Sequence, residues 1–409
     1  MLTWWVACVG GTPEEGERIV VVTGTEDAGD APGGGDDGDP DPSDDTGEPA
    51  LGPWGWDPRA RGAFLYEPGV VHEFWLELPE ASIDALWADP YAPAWAEFTW
   101  EGETYAVSVH LKGRYSFRDL GGKAAFKVDF HEYDDAGSFH GVKRLTLNNM
   151  VQDGSMLAEH GSYYVSRAAG LPAPRHGYAN VYVNGELYGL YGIVETPDEQ
   201  FLDDHFADDD GNLYSGGYGG DVESGNARYF DLEEASPVVE PYTDLEALCE
   251  TVAAVEDDAF WEALDQYFYR DEVLGMWAVE IVSGQDDGYL TWANNYLLYN
   301  DIGVNRWALL PWGTDQAFTA YLEIGNGYHG HLADRCVKHS TCKEPLRARV
   351  AEVVAAWEAA DVPGYLAYVA GVIHEACEAD PRAELSCERN QQELLDFVRV
   401  RATEVREDL

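Results

Sequence analysis

Basic residues are scarce in this sequence. Its 409 residues include 25 Lys and Arg against 76 Asp and Glu, a formal net charge of −51. A field of that sign repels phosphate backbones, which excludes general nucleic-acid binding. Compact Cys-x-x-Cys spacing is also absent, so the cysteines do not read as a structural zinc site. No stretch of the body is long and apolar enough to span a bilayer. No internal repeat is visible, which removes solenoids and propellers from consideration. What is plentiful is material for a core: 45% of the residues are hydrophobic, with 14 Trp and 24 Tyr. A chain of this size holds one large domain or two modest ones, and any disorder is local. Most of the carboxylates read as a solubilising surface that also attracts divalent cations.

Six cysteines are present. Cys336 and Cys342 bracket one short polar segment, and Cys377 and Cys387 another. Two local disulfides suit an oxidising compartment, with Cys249 left unpaired on a helix; four ordinary thiols are the alternative. The N-terminal run Val6-Ala7-Cys8-Val9-Gly10 resembles the end of a bacterial lipoprotein signal, although residues 1–10 are too short for a whole one and lack a basic region. A lipid-modified Cys8 would be the only membrane contact, and would anchor stably if it carried more than one acyl chain. Residues 11–65 read as an acidic, Gly-, Pro- and Asp-rich disordered linker, with almost nothing apolar to bury between Thr23 and Pro49.

Folded structure is expected from about Tyr66. Alternation predicts strands at Val70–Leu76 and Phe126–Phe130, and a hairpin over Phe98–Leu111 turning at Glu101-Gly102. Pro79–Trp87 reads as a short helix with Ile83, Leu86 and Trp87 on one face. A second helix spans Ser155–Ala169, stopped by Gly170-Leu171-Pro172. Asn184-Gly185 is a strong hairpin turn. The second half is more helical: Leu245–Val255, Phe260–Phe268, a strongly apolar Val273–Ser283, then Leu346–Ala359 and Leu366–Ala376. Strands at Asn294–Tyr299 and Trp307–Leu310 flank a turn at Asp301-Ile302-Gly303. The class is α+β.

Four clusters carry chemistry. Five basic residues, Lys112, Arg114, Arg118, Lys123 and Lys127, fall within sixteen positions of an otherwise acidic chain. Cations of this kind hold polyphosphates; pairing with nearby Asp and Glu is the bland reading. Next comes Leu147-Asn148-Asn149 with Asp153, followed by Glu159, a helix glutamate of the kind that orients a phosphate-binding lysine. The third, Gln285-Asp286-Asp287-Gly288-Tyr289 with Asn294-Asn295-Tyr296, follows the apolar helix directly. A carboxylate there accepts the proton of an attacking hydroxyl while an asparagine ligates Mg2+, unless the segment is only an Asx turn. The fourth is Pro311-Trp312-Gly313-Thr314-Asp315, an aspartate behind a hydrophobic strand that must be paired or metal-bound. A lysine cluster, a helix glutamate, Asp then Asn, and a final Asp is the generic order of a Mg-ATP phosphotransferase.

From about Val70 to Phe318 the chain resembles the CotH kinase family, known from spore coats and secreted bacterial proteins. The resemblance runs through Leu111-Lys112-Gly113-Arg114, Lys123, Phe126, Leu147-Asn148-Asn149, Asp153, Ser155 and Gly170-Leu171-Pro172-Ala173-Pro174. It continues in Val181-Tyr182-Val183-Asn184-Gly185, Tyr188-Gly189-Leu190-Tyr191, Glu195 and Gly211-Asn212-Leu213-Tyr214. It closes with Asp287-Gly288-Tyr289, Asn294-Asn295-Tyr296, Pro311-Trp312, Asp315 and Phe318. It implies an atypical protein-kinase-like fold over residues 66–330, with a strand-rich smaller lobe and a more helical lobe, and leaves 331–409 as a helical extension. It implies ATP and Mg2+ or Mn2+. Carried over residue by residue, Lys123 matches the nucleotide-contacting lysine, with Lys112 and Lys127 as rivals and Arg114 beside them. Asp287 matches the catalytic carboxylate, Asn295 and Asp315 the metal ligands, and Glu159 the lysine's partner. Two departures stand out. Members often carry Pro-Trp-Asp-x-Asp, where this chain has Gly313, and a lysine where it has Ser215.

The expected function is an ATP- and metal-dependent phosphotransferase acting on secreted or surface proteins, with an impaired pseudokinase serving as a surface binding or structural protein as the alternative. A third class, a Ca2+-dependent adhesion module, rests on Asp208-Asp209-Asp210-Gly211-Asn212, which lacks the closing glutamate of a calcium loop.

Overall fold

Seven strands close into a barrel in the computed structural model, which describes residues 53–134, 136–325 and 327–409. Cys8, the stalk up to residue 52 and the lipid-anchor expectation lie outside the described residues. The barrel strands are β1 (Val71–Glu77), β2 (Ala94–Trp100), β3 (Glu103–Lys112), β4 (Ala125–Asp129), β5 (Arg144–Asn148), β6 (His176–Val183) and β7 (Glu186–Glu195), in spatial order β1-β2-β3-β4-β5-β7-β6. Neighbours are antiparallel except β6, which pairs parallel with β1 to close the ring. Closure leaves no free edge. Alternation fills the interior: Phe74, Leu76, Phe98, Val107, Val109, Phe126 and Val128 share one buried cluster. The two hairpin turns form as expected. Glu101 and Gly102, and Asn184 and Gly185, all take positive φ, as tight two-residue turns require.

Helix α1 (Glu80–Ala88) follows β1, but it buries Ser82 and Leu86 and leaves Trp87 exposed, against the expected face. The packed body also starts before Tyr66, because Ala63 and Leu65 are buried and Trp56 donates to the Ala63 carbonyl at 2.9 Å. Helix α2 (Ala158–Ala168) lies between β5 and β6. Helix α3 (Glu199–His205) leads from the barrel to a second sheet of β8 (Leu213–Gly216) and β9 (Phe230–Glu234). Helices α4 (Thr243–Ala254), α5 (Phe260–Tyr267), α6 (Arg270–Ser283) and α7 (Tyr289–Trp292) come next. Strands β10 (Tyr296–Asp301) and β11 (Arg306–Pro311) complete the second sheet in the order β11-β10-β8-β9. The chain ends in α8 (His331–Val337), α9 (Ser340–Ala359), α10 (Val362–Glu378) and α11 (Cys387–Asp408).

Every residue of α6 from Val273 onward is buried, as an all-round apolar helix must be. It packs against α2, α9, α11 and β11, so the helices beyond residue 330 share its core. Its C-terminus is closed twice. Gly284 takes a left-handed φ of 63°, and buried Arg401 of α11 donates to the Ile281 and Val282 carbonyls at 2.7 and 3.1 Å. This stop sets the position of the Asp286-Asp287 loop. The disulfides Cys336–Cys342 and Cys377–Cys387 are both formed, and Cys249 is free and buried on α4. The second bridge ties α10 to α11. The class is α+β, strand-rich in its first half and more helical in its second. Among the described residues no helix is long and apolar enough to cross a membrane.

Candidate functional site

A cleft of about 960 Å³ opens between the end of β3 and the loops following α6 and β11. Lys112, Asn148, Asp287, Asn295 and Asp315 all line it, brought together from five separate segments.

Lys112 is the last residue of β3, opposite Ala125. Its half-buried ammonium lies 5.6 Å from the centroid of the Trp312 ring. Burial lowers its pKa, and Glu159 is the foremost charge opposing that shift. Among the described residues it forms no ion pair. Glu159 stands in the first turn of α2, buried, with Asn148 Nδ2 donating to Oε2 at 2.6 Å and the Tyr163 hydroxyl to Oε1 at 3.0 Å. The same hydroxyl accepts from the Gly313 N–H at 3.2 Å, joining α2 to the loop after β11.

The Leu147-Asn148-Asn149 segment with Asp153 supports this glutamate. Asp153 accepts from the Ser155 hydroxyl and N–H at 2.5 and 2.9 Å and from Ala158 N–H at 2.7 Å, so it fixes the start of α2. Asn149 Nδ2 donates to the Lys123 and Ser116 carbonyls at 2.7 and 3.0 Å, which pins the β3–β4 connection.

Asp287 sits on the loop after α6. Glu280 anchors this loop by accepting from the N–H groups of Tyr289 and Leu290, each at 2.8 Å; burial raises the Glu280 pKa to about 7. Asn295, at φ 52°, donates from Nδ2 to Asp287 Oδ2 at 3.0 Å and to its carbonyl at 2.8 Å. Asn295 Oδ1 therefore turns toward Gly313, where an added Cβ would stand 3.0 Å from it. Asp315 follows β11. Its pKa is pushed up to about 8, first by burial, then by Glu159 and Asp153, with Lys112 opposing.

The other basic residues divide. Lys127 lines the cleft but pairs with Glu233 at 3.1 Å. Arg114 stands at the mouth, exposed, 3.8 Å from Asp231. Lys123 is not brought to the cleft. Its ammonium is buried against Asp380 at 2.6 Å, and Leu190 N–H donates to the same Asp380 oxygen at 3.0 Å. Arg118 is likewise taken up, by Glu384. Of the lysines expected at the nucleotide, Lys123 is held in a buried ion pair away from the cleft, while Lys112 and Lys127 line it.

Sequence reasoning missed Tyr163 and Tyr218. Tyr163 lies four residues after Glu159 on α2, so helical spacing alone puts the two on one face. Tyr218 lies among Gly217, Gly219 and Gly220, a run that marks a loop near any site beside it.

A smaller cavity of about 250 Å³ is lined by Val128, Leu145, Pro197, Leu297 and Trp312 on apolar surface and by Asp129, Arg144 and Glu234 on charged surface. Trp312, His110, Lys127 and Glu233 border both it and the cleft. The acidic loop 208–212 shows no cage: Asn212 is spent on Asp244 and the Ser236 N–H. No group of three or more His, Cys, Asp or Glu side chains converges as a metal cluster among the described residues.

The family described as CotH kinase protein matches residues 109–405, which reaches into α11. The inner spore coat protein H of Bacillus subtilis (strain 168) is 25% identical over 260 residues, covering 60% of this chain and 66% of that protein, just short of two thirds. Among solved structures, the Shewanella oneidensis MR-1 toxin–antitoxin complex of HipA, HipB and operator DNA gives a TM-score of 0.35 at 10% identity, over 83% of this chain and 76% of the other. The Helicobacter pylori proinflammatory kinase CtkA gives 0.30 at 8% identity, over 76% and 92%. At TM-scores this low the two likenesses support no residue assignment.

Proposed function

The chain belongs to the CotH kinase protein family, and on that premise we propose that it is an ATP- and divalent-metal-dependent phosphotransferase acting on secreted or surface proteins. The observation that carries the reading is the convergence of Lys112, Asn148, Asp287, Asn295 and Asp315 on one cleft, with buried Glu159 behind Asn148.

The residues present fit the group the reaction needs. An unpaired lysine, a cation-poor carboxyl at Asp315 and the Asn295 carbonyl oxygen form a donor set for a metal–polyphosphate. Asp315 and Asn295 would hold Mg2+ or Mn2+, which when bound offsets phosphate charge that a protein of net charge −51 otherwise repels. Lys112 binds phosphate oxygens, and Glu159, fixed by Asn148 and Tyr163, is the foremost charge favouring its ammonium form against burial. The side cavity, lined by Val128, Leu145, Leu297 and Trp312 but also by the charged Asp129, Arg144, Glu233 and Glu234, would seat the base between apolar walls and polar partners for its ring edge, with Lys127 at the border between base and phosphates. Asp287 takes the proton from an acceptor hydroxyl, and Asn295 orients the carboxylate for it. The disulfides and the relative's place in a spore coat support work outside the cytoplasm, with a lipid anchor at Cys8 as the proposed tether.

Gly313 favours the second reading, a pseudokinase that binds a partner or scaffolds a surface layer, since it replaces the first carboxylate of the Pro-Trp-Asp-x-Asp segment that members often carry. Incubating the purified chain with labelled ATP and Mg2+ or Mn2+ separates the two. Transfer supports the first, nucleotide binding without transfer the second, and no binding with either metal removes the site.

A further inference from the structure

One side chain already stands where an acceptor must stand. Tyr218 donates its hydroxyl to Asp287 Oδ1 at 2.8 Å. Asp287 Oδ2 is taken by Asn295, so the phenol holds the oxygen left for an acceptor. The ring is not there through burial. Tyr218 is 43% exposed, on a loop with Gly217, Gly219 and Gly220, and Gly219 takes φ 89°. A second contact steers it: Tyr115, three residues past Lys112, packs edge-on to Tyr218 with centroids 5.7 Å apart. The phenol is thereby held between the lysine-bearing loop and the proposed base.

We propose that Tyr218 is a self-phosphorylation site, presented to Asp287 within the same molecule. The proposal rests on the phosphotransferase reading above. In the step, Tyr218 Oη forms a bond to the γ-phosphorus of ATP. The bond from that phosphorus to the β–γ bridging oxygen breaks, and ADP leaves with the electron pair. The phenolic proton passes to Asp287. The product is a phosphotyrosine beside Asp287, with exposed Asp286 and Asp231 also lining the cleft. Like charges expel it, and the glycines let the loop swing out. Arg114 is placed to receive the phosphate, because its Nη1 lies 3.0 Å from where a Cβ on Gly217 would stand and its existing partner Asp231 is held loosely at 3.8 Å. Departure of Tyr218 frees Asp287 for an external protein acceptor, so the first phosphate opens the site for later ones.

The test uses the full chain with labelled ATP and Mn2+, with phosphate located by mass spectrometry. Phosphate on Tyr218 is expected, with a rate per molecule independent of protein concentration. Tyr218→Phe should lower self-incorporation about tenfold or more while leaving nucleotide binding by calorimetry unchanged. A readout free of nucleotide accompanies it: Tyr218→Glu, which places a charge beside Asp287, should speed hydrogen exchange across 217–220. Phosphate only on other residues, or wild-type incorporation by Tyr218→Phe, overturns the proposal while the phosphotransferase reading survives. A rate that rises with protein concentration overturns the within-molecule geometry. No nucleotide binding by wild type overturns both readings together.

Discussion

Lys123 and Asp380 form a salt bridge of 2.6 Å in which both side chains are sealed from solvent, at 1% and 0% exposure. The pair ties the β3–β4 connection to the segment between α10 and α11. Removing one partner of such a pair leaves a buried charge, at a cost of about 3–5 kcal/mol. Lys123→Met should therefore lower stability to urea by that amount and leave nucleotide affinity of the folded fraction unchanged. Lys112→Met should do the reverse, since that lysine has no ion pair to lose among the described residues. Urea titration with Mg-ATP calorimetry checks both. Lost binding in a fully folded Lys123→Met protein would return the phosphate role to Lys123.

The two aspartates should separate by what they lose. Asp315→Asn removes the charged metal ligand and is expected to abolish metal-dependent nucleotide binding and transfer together. Asp287→Asn keeps the binding groups and removes the proton acceptor, so transfer should fall roughly a hundredfold or more with affinity retained. Calorimetry paired with a transfer assay reads both quantities. Normal binding by Asp315→Asn would mean that the metal is held elsewhere.

Restoring the family's missing carboxylate should fail. Gly313 takes φ 58°, and a Cβ there would meet Asn295 Oδ1 at 3.0 Å. Gly313→Asp is expected to cost about 1–2 kcal/mol in backbone strain and to push aside the Asn295 amide that orients Asp287. Metal affinity should stay level or fall, and transfer should fall with it. Tighter metal binding at unchanged stability would show that the loop after β11 yields without disturbing Asn295.

The sequence carried the barrel strands well, because one-sided burial imposes a period of two, and both hairpin turns because they demand positive φ. It carried α6 as an unbroken apolar run. It carried α11 only as part of a helical 331–409 region without bounds, since two of the six buried positions on its inward stripe, Gln391 and Arg401, are polar and interrupt the apolar period of Leu394, Val398 and Val405. The site was legible as a set of segments in order and not as a constellation. Choosing Lys112 over Lys123 needs the distant Asp380, 257 positions on, and no local pattern reports such a contact. Asp153 and Asn149 were legible as motif residues, but their work is to fix the start of α2 and the β3–β4 connection, which only the backbone contacts reveal.

A pH dependence follows from the helix that carries Glu159. The next residue, His160, is buried with its Nδ1 3.1 Å from His176 Nδ1 and its Nε2 2.7 Å from the Tyr365 hydroxyl. One proton serves the contact between the two Nδ1 atoms when the rings are neutral; protonating both sets two donors face to face. Burial drives the His176 pKa down to about 3, and burial with the neighbouring ring drives His160 well below its ordinary value. An unfolded histidine titrates near 6.5. The folded state therefore refuses protons that the unfolded state accepts, and stability present above about pH 6.5 is lost as pH falls, by about 2 kcal/mol at pH 5 for His176 and in the same direction for His160. Raised carboxyls such as Glu280 and Asp198, both near 7, act in the opposite sense over this range, because their protonated forms are favoured in the fold. The difference between wild type and His176→Gln isolates the histidine part. Urea titrations at pH 7 and pH 5 should show His176→Gln losing about 2 kcal/mol less than wild type on acidification. Equal losses would mean that the pair takes up protons without unfolding and that its burial does not set its titration.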